Sequence, residues 1–412
     1  MNDLKRTVLY NCHVAAGATM VDFGGWEMPI QYPTGIINEH LACRGGCAIF
    51  DVSHMGRIRI RGKDRLAFVQ YALTNNAAAL KIGAAQYTIL SDENGCAVDD
   101  AYLYRFEPNE YLLVVNAGNA EKDTAHLNRL ATGFDVEIKN ISGKWSAIAV
   151  QGPKTDEILA KLADCEVNTI PPKHNAVYIQ KLADREVYIA VTGYTGEPIG
   201  YELYVHAYDA EFFWNRLVEL GAVPAGLGAR DTLRMEAVMP LYGHEMGECQ
   251  LGGELQIFSV PLARFAVSFA TEKGDFYGKE ALLKQYDDYC HIKTFNFDDI
   301  EVLHYRTLSI ALKGKGVLRA GCDVYDAETG EKIGYVTSGT MIPYYECEEV
   351  DGKLTLTDRV GKRSVGMAYV RANMRKGHKI EVDIRGKRVP AIISGRHIKV
   401  DNGKFVEAVP YK

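Results

Sequence analysis

Alternation between apolar and polar positions dominates the middle of the chain. GRIRIRG (56–62) alternates between bounding glycines and predicts a strand. Leu66, Phe68, Val69 and Leu73 then recur at helical spacing and predict a helix over 64–74. AQYTILSD (85–92) predicts a strand that runs into the turn Glu93-Asn94-Gly95. Two further strands, near 98–106 and 110–116, read as an antiparallel pair joined through Pro108-Asn109. A helix follows over 119–131, with Glu121 and Asp123 in its first turn, where carboxylates complement the helix dipole. The next block has the same makeup, with a strand at 145–152, a helix over 153–163 with Pro153 near its start, and strands at 187–193 and 201–207. An amphipathic helix over 208–220 turns Phe212, Phe213, Leu217 and Leu220 inward, and another opens near Asp231. From about 307 the pattern changes to strands alone, at 307–312, 333–337, 364–370, 379–385 and 388–393, which reads as a small all-β barrel or sandwich.

These elements predict an α+β region over 1–283 and a C-terminal β-barrel domain over 305–412. Residues 284–304 show no clear period and read as a linker or surface excursion between them. A chain of 412 residues, 47% hydrophobic and 24% charged, has material for two or three globular domains. The net charge of −6 argues against a nucleic-acid binder. Nine cysteines, an odd number without a CxxC pair, fit reduced thiols rather than a disulfide framework. Cys43 and Cys47 could share a helical face, but without a second such pair no zinc site is expected. No signal peptide and no bilayer-length apolar run is read, so the expectation is a cytoplasmic protein without a membrane partner. GLGARD (226–231) lacks the third glycine of a dinucleotide fingerprint, no phosphate-binding loop occurs, and His244-Glu245 lacks the second histidine of a zinc helix. Neither a nucleotide nor a metal is expected.

Four segments could carry chemistry. In GCAVDDAYLY (95–104) two adjacent acids sit on an apolar strand, so Asp99 and Asp100 point to opposite faces and only one can face a given cleft. The plain alternative is an edge where both are solvated or cap the turn. TGYTGEPIGYE (192–202) is rich in glycine and hydroxyls, which lets a planar ligand approach the backbone; Tyr194 could stack on a ring, and Glu202 could accept two N–H bonds from a heteroaromatic edge. An ordinary wide hairpin reads equally well. Arg230 at a helix start opposes the dipole, which fits an anion site or a salt bridge to Asp231 or Glu236. Ser53-His54 reads as a turn before a strand rather than a nucleophile pair.

Taken in order, MVDFGGWEMPIQY (20–32), EHLACRGGCAIFDVSHMG (39–56), GCAVDD, VVNAGNAEKD (114–123), AVQGP (149–153), TGYTGE (192–197), GLGARDTLRMEA (226–237), LYGHEM (241–246), DFYGKEAL (275–282) and YVTSGT (335–340) resemble the aminomethyltransferase family over nearly the whole chain. The resemblance implies a disc of two intertwined α+β domains around a central channel, plus a C-terminal barrel. It implies transfer of an aminomethyl group from the lipoyl arm of a carrier H-protein to tetrahydrofolate in glycine cleavage, giving 5,10-methylenetetrahydrofolate and ammonia. By position Asp100 matches the acid near the reacting folate nitrogens and Glu202 the acid on the pterin edge. Tyr87, Asn116, Tyr194, Arg230 and Met55 match other folate-pocket positions.

The chain departs from the family over 284–304 and 344–364, which are longer than usual, and at Met341-Ile342-Pro343; the family tryptophan appears as Phe265 or Phe269. Two other readings keep the fold: a tetrahydrofolate-dependent demethylase of a methylated small molecule, and a non-catalytic folate-binding protein. The second lacks its KGCYxGQE-type motif here.

Overall fold

The alternation in GCAVDDAYLY becomes the strand Ala97–Arg105. Ala97, Asp99, Ala101 and Leu103 are buried, whereas Val98, Asp100 and Tyr102 are half-buried. The structure is a computed structural model that describes residues 4–163, 174–350, 353–401 and 404–407. Cys165 lies outside these residues. By its contacts the chain forms two units: Met1–Leu90, Asp99–Arg230 and Phe265–Tyr277 make the first, and Ser91–Val98, Asp231–Arg264 and Gly278–Lys412 the second.

The first unit is built on two sheets that interleave in sequence. A five-stranded sheet has the order Ala84–Ser91, Ala97–Arg105, Glu110–Val115, Gly56–Arg61, Glu137–Asn140. A six-stranded sheet has the order Val177–Leu182, Arg185–Ala190, Gly200–His206, Trp145–Gln151, Ala48–Asp51, Val223–Pro224. Ala48–Asp51 precedes the whole of the five-stranded sheet along the chain, and its partner Trp145–Gln151 follows it. This is the intertwining that the family resemblance implies. The core of the six-stranded sheet is apolar, with Ile148, Val150, Ile189, Leu203 and Val205 packed against Leu159, Phe213, Trp214 and Leu217 of its helices. The helix Ala210–Glu219 ends one residue before Leu220, and Trp214 rather than Phe212 is its second fully buried aromatic. Phe212 instead carries the Arg185 guanidinium 3.7 Å above its ring. Several elements of this unit escaped the hydrophobic pattern, among them the helices Tyr10–Ala15 and Ile36–Gly45, the hairpin Thr19–Phe23/Trp26–Gln31, and the strands Ala48–Asp51, Glu137–Asn140 and Val177–Leu182. Ile36–Gly45 stops before Cys47, so Cys43 and Cys47 do not share a helical face.

The second unit contains the expected barrel. Asp323–Asp326, Lys379–Ile384, Lys387–Ile393, Tyr305–Leu312, Lys353–Arg371 and Lys332–Val350 pair in that order, and Asp323–Asp326 also pairs with Lys332–Val350, which closes six strands into a ring. Ile310, Val324, Val336, Val370, Val382 and Ile393 fill it. Lys332–Val350 and Lys353–Arg371 are 19 residues each, far beyond the 333–337 and 364–370 read from sequence. The stretch read as a linker from 284 begins inside a helix, Lys279–Lys293. Among the described residues no helix is long and apolar enough to cross a membrane.

Candidate active site

Strand pairing sets the first cluster. Ala101 lies opposite Val115 in the antiparallel register, so the next position brings Asp100 across from Asn116 at the end of Glu110–Val115. The Asn116 side-chain amide donates to Asp100 Oδ1 at 2.8 Å and to Asp99 Oδ1 at 2.9 Å. Tyr87, on the neighbouring strand Ala84–Ser91, donates its hydroxyl to Asp100 Oδ2 at 2.9 Å. Asp99 also accepts from the Asn116 main-chain N–H at 2.9 Å and from Asn119 Nδ2 at 2.7 Å. Asp99 has no exposed surface, so the reading of both acids as solvated at a sheet edge does not hold. Burial, then the negative charge of Asp99, push the Asp100 carboxyl up to about 7, against the pull of its bonds from Tyr87 and Asn116.

A second cluster surrounds Glu202. Three hydroxyls converge on its Oε2: Thr192 at 2.6 Å, Tyr104 at 3.0 Å and Tyr204 at 3.4 Å. Oε1 takes none of these bonds. The Arg230 guanidinium lies 5.3 Å from the Tyr194 ring centre, within cation–π range. Its Nη1 is buried with no hydrogen-bond partner among the described residues. Among the described residues Arg230 forms no salt bridge to Asp231 or Glu236, and Asp231 pairs with Arg234 at 2.8 Å instead. Tyr102 links the clusters, with its ring 5.7 Å from that of Tyr87 and 5.8 Å from that of Tyr104.

The loop carrying Tyr194 is wrapped around one buried amide. Gln151 Nε2 donates to the carbonyls of Thr192 (3.1 Å) and Tyr201 (3.2 Å), and Thr195 Oγ1 donates to Gln151 Oε1 at 2.8 Å. The buried Arg44 holds the far side, bonding the Thr195 carbonyl at 2.8 Å and Glu197 at 2.5 Å. A Cβ on Gly193 or Gly200 would run into the Gln151 side chain. The glycines thus serve close approach of loop to amide, not only of loop to ligand. Gly193→Ala is expected to cost about 1–3 kcal/mol of stability, the usual penalty for overfilling a packed site. Chemical denaturation measures it, and an unchanged midpoint would show that the loop yields freely.

Met55 sits in the turn between Ala48–Asp51 and Gly56–Arg61. Arg57, buried, ties that turn down by donating to the carbonyls of Ser53, Met55, Ser142 and Trp145. Ser53 Oγ bonds the main chain of Ala147, accepting at 3.1 Å, and His54 packs edge-on against Phe23. They form no nucleophile pair, as expected. Burial pushes His54 down to about 4, and the charges of Arg230 and Arg57 act in the same direction. The turn therefore lies near Arg230.

The structure brings Tyr87, Asp100 and Asn116 together and sets Arg230 against Tyr194, while Glu202 bonds Thr192, Tyr104 and Tyr204. Sequence reasoning missed Asn119 and the hydroxyl cage of Tyr104, Thr192 and Tyr204. Tyr104 was in reach as a same-face neighbour of Asp100, and Tyr204 as the residue two beyond Glu202 on one strand.

Residues 9–256 match the family model described as GCVT N-terminal domain. An aminomethyltransferase of Thermus thermophilus is 41% identical over 391 residues, covering 95% of this chain and 98% of its own length. That of Deinococcus deserti is 40% identical over 388 residues, covering 94% and 95%. Among solved structures, the glycine cleavage system aminomethyltransferase T from Bartonella henselae superposes with a TM-score of 0.78 at 29% identity, covering 95% of this chain and 97% of its own. The chain belongs to the aminomethyltransferase family, an enzyme family of transferases.

Proposed function

We propose that this enzyme moves the aminomethyl carbon of a lipoyl-bound H-protein to tetrahydrofolate in glycine cleavage, releasing 5,10-methylenetetrahydrofolate and ammonia. The observation that carries the reading is the pair of acids held for different work. Glu202 is fixed through one oxygen by three hydroxyls. Asp100 is fixed on a half-buried face by Tyr87 and Asn116. Relatives near 40% identity over nearly the full chain are named aminomethyltransferase, which favours this donor over a methylated small molecule.

The chemistry follows from charge. A pterin offers adjacent N–H donors along one edge, and a carboxylate accepts both. Glu202 is pre-set for this, because its cage orients the carboxylate before the ligand arrives. As the carbon–sulfur bond breaks, the carbon becomes iminium-like, and the sulfur leaves with the electron pair. The Asp100 carboxylate stabilises that positive charge, as the inverse of an oxyanion hole. The N5 and N10 protons are displaced when the carbon bonds to each nitrogen. They balance the thiol and ammonia that leave, and Asp100 is placed to carry a proton between them. Arg230, stacked on Tyr194, offers its Nη1 to the ligand's acceptors. Holding folate and the lipoyl carbon together supplies much of the remaining acceleration.

The direct test combines the purified protein, tetrahydrofolate and aminomethyl-loaded H-protein, and follows methylenetetrahydrofolate. Formation of that product with release of ammonia is the expected result. No product there, with methyl transfer from a methylated small molecule instead, would overturn the choice of donor.

A further inference from the structure

Behind the reactive acid lies a third carboxyl that the mechanism above does not use. Asp123, on the helix Ala120–Leu130, has no exposed surface, and neither has Asp99. The helix start places the two close: the Asp123 N–H bonds the Asn119 carbonyl at 2.8 Å, and the Asn119 amide bonds Asp99 at 2.7 Å. Two neighbouring carboxyl groups buried away from water do not both stay ionised, so one of them carries a proton. The donors decide which one carries it. Asp99 already accepts three N–H bonds, from the Asn116 main chain, the Asn116 amide and the Asn119 amide, which suit the charged form. Neither oxygen of Asp123 takes a bond from an N–H or hydroxyl group among the described residues.

We propose that Asp123 is a positioning residue: it stays protonated and donates to Asp99, which in turn fixes the Asn116 amide across from Asp100. The chain of contacts is Asp123, Asp99, Asn116, Asp100, and it rests on the reading of Asp100 as the acid of the transfer. Burial, then Asp99, raise the Asp123 carboxyl far above the ordinary carboxylate range, while Lys122 pulls it down more weakly than Asp99 pushes it up. The other ionisable groups around it are accounted for. Asp100 also acts on it, Tyr87 faces Asp100, and His126 follows one turn along the helix. On the strands packed against that helix, Arg57 binds carbonyls, Arg59 pairs with Glu137, and Arg61 pairs with Glu110.

The amide in Asp123→Asn can donate to Asp99 as a protonated carboxyl does, whereas Asp123→Ala removes the donor. Infrared difference spectra taken well above pH 7, where Asp100 is ionised, are expected to show a protonated-carboxyl C=O band that both variants lose. Asp123→Asn is expected to keep kcat, KM for tetrahydrofolate and the pH midpoint of kcat. In Asp123→Ala the undamped charge on Asp99 pushes the proton of Asp100 on more firmly. The midpoint of kcat then moves to higher pH, and kcat falls about tenfold or more through the lost bond to a charged group, with a smaller change in KM. A purely structural part for Asp123 would not move that midpoint. If the spectrum of Asp123→Asn matches the wild type, or a folded Asp123→Asn loses as much kcat as Asp123→Ala, the proposal fails. The infrared band needs no substrate, so it judges Asp123 even if the enzyme proves inactive with tetrahydrofolate.

Discussion

Asp100→Ala is expected to bind tetrahydrofolate nearly as the wild type does and to lose about 10²–10³ in kcat, the scale of removing one well-placed stabilising group from a developing charge. The reasoning is geometric. Asp100 is held from two sides, by Tyr87 at 2.9 Å and by Asn116 at 2.8 Å, so it cannot swing away as charge appears beside it. The binding of the pterin is assigned to Glu202, in a separate cluster, so affinity and rate come apart on this substitution. Calorimetric binding of a stable folate together with single-turnover transfer reads both. Full activity in Asp100→Ala would remove Asp100 from the mechanism.

Acid should imitate the same substitution. Protonating Asp100 erases its negative charge, and its carboxyl, raised by burial and by Asp99, titrates at about 7. The carboxylate is the working form, so kcat is expected to fall as pH drops through about 7 and to hold above it. In Asp100→Asn, where no charge remains to titrate, this limb of the profile should be absent.

The parts of the fold legible in sequence were those whose buried face is apolar. Ala97–Arg105 alternates so regularly that the opposed directions of Asp99 and Asp100 followed at once. The helix Lys279–Lys293 was invisible for the opposite reason: its inward face is Leu282, Gln285, Asp288 and Ile292. Gln285 donates to the Gly95 carbonyl and accepts from the Phe258 N–H, and Asp288 accepts the N–H groups of Glu301, Val302 and Leu303. Polar side chains that satisfy loops look, in a sequence, like a solvated surface. The two 19-residue strands were cut short by the same bias, since their outer halves carry charges such as Glu346, Glu348 and Arg359 that pair across the hairpin. Asp123 misled in a different way. An acid in the first turn of a helix is read as complementing the dipole, and only three dimensions show it fully buried. The candidate site was legible where motif order carried it, and its supporting shell was not, because hydroxyls and amides become a cage only once distant strands are adjacent.

Glu202→Ala is expected to weaken tetrahydrofolate binding by about 10- to 100-fold, the worth of hydrogen bonds to a charged group, with kcat at saturating folate changed only a few-fold. Three hydroxyls now aimed at Oε2 would turn to one another or to water: Tyr104 already lies 3.4 Å from both Thr192 and Tyr204. That alternative network keeps the site folded, so the loss is of affinity rather than of structure. Glu202→Gln sharpens the test. An amide keeps the shape and can accept from the cage, but its second atom is a donor where the pterin edge also donates. It should bind as poorly as the alanine variant, despite its size. Titration calorimetry with a stable reduced folate decides between them. An unchanged dissociation constant in both would take Glu202 off the pterin and leave the hydroxyl cage as a purely internal device of the strand Gly200–His206.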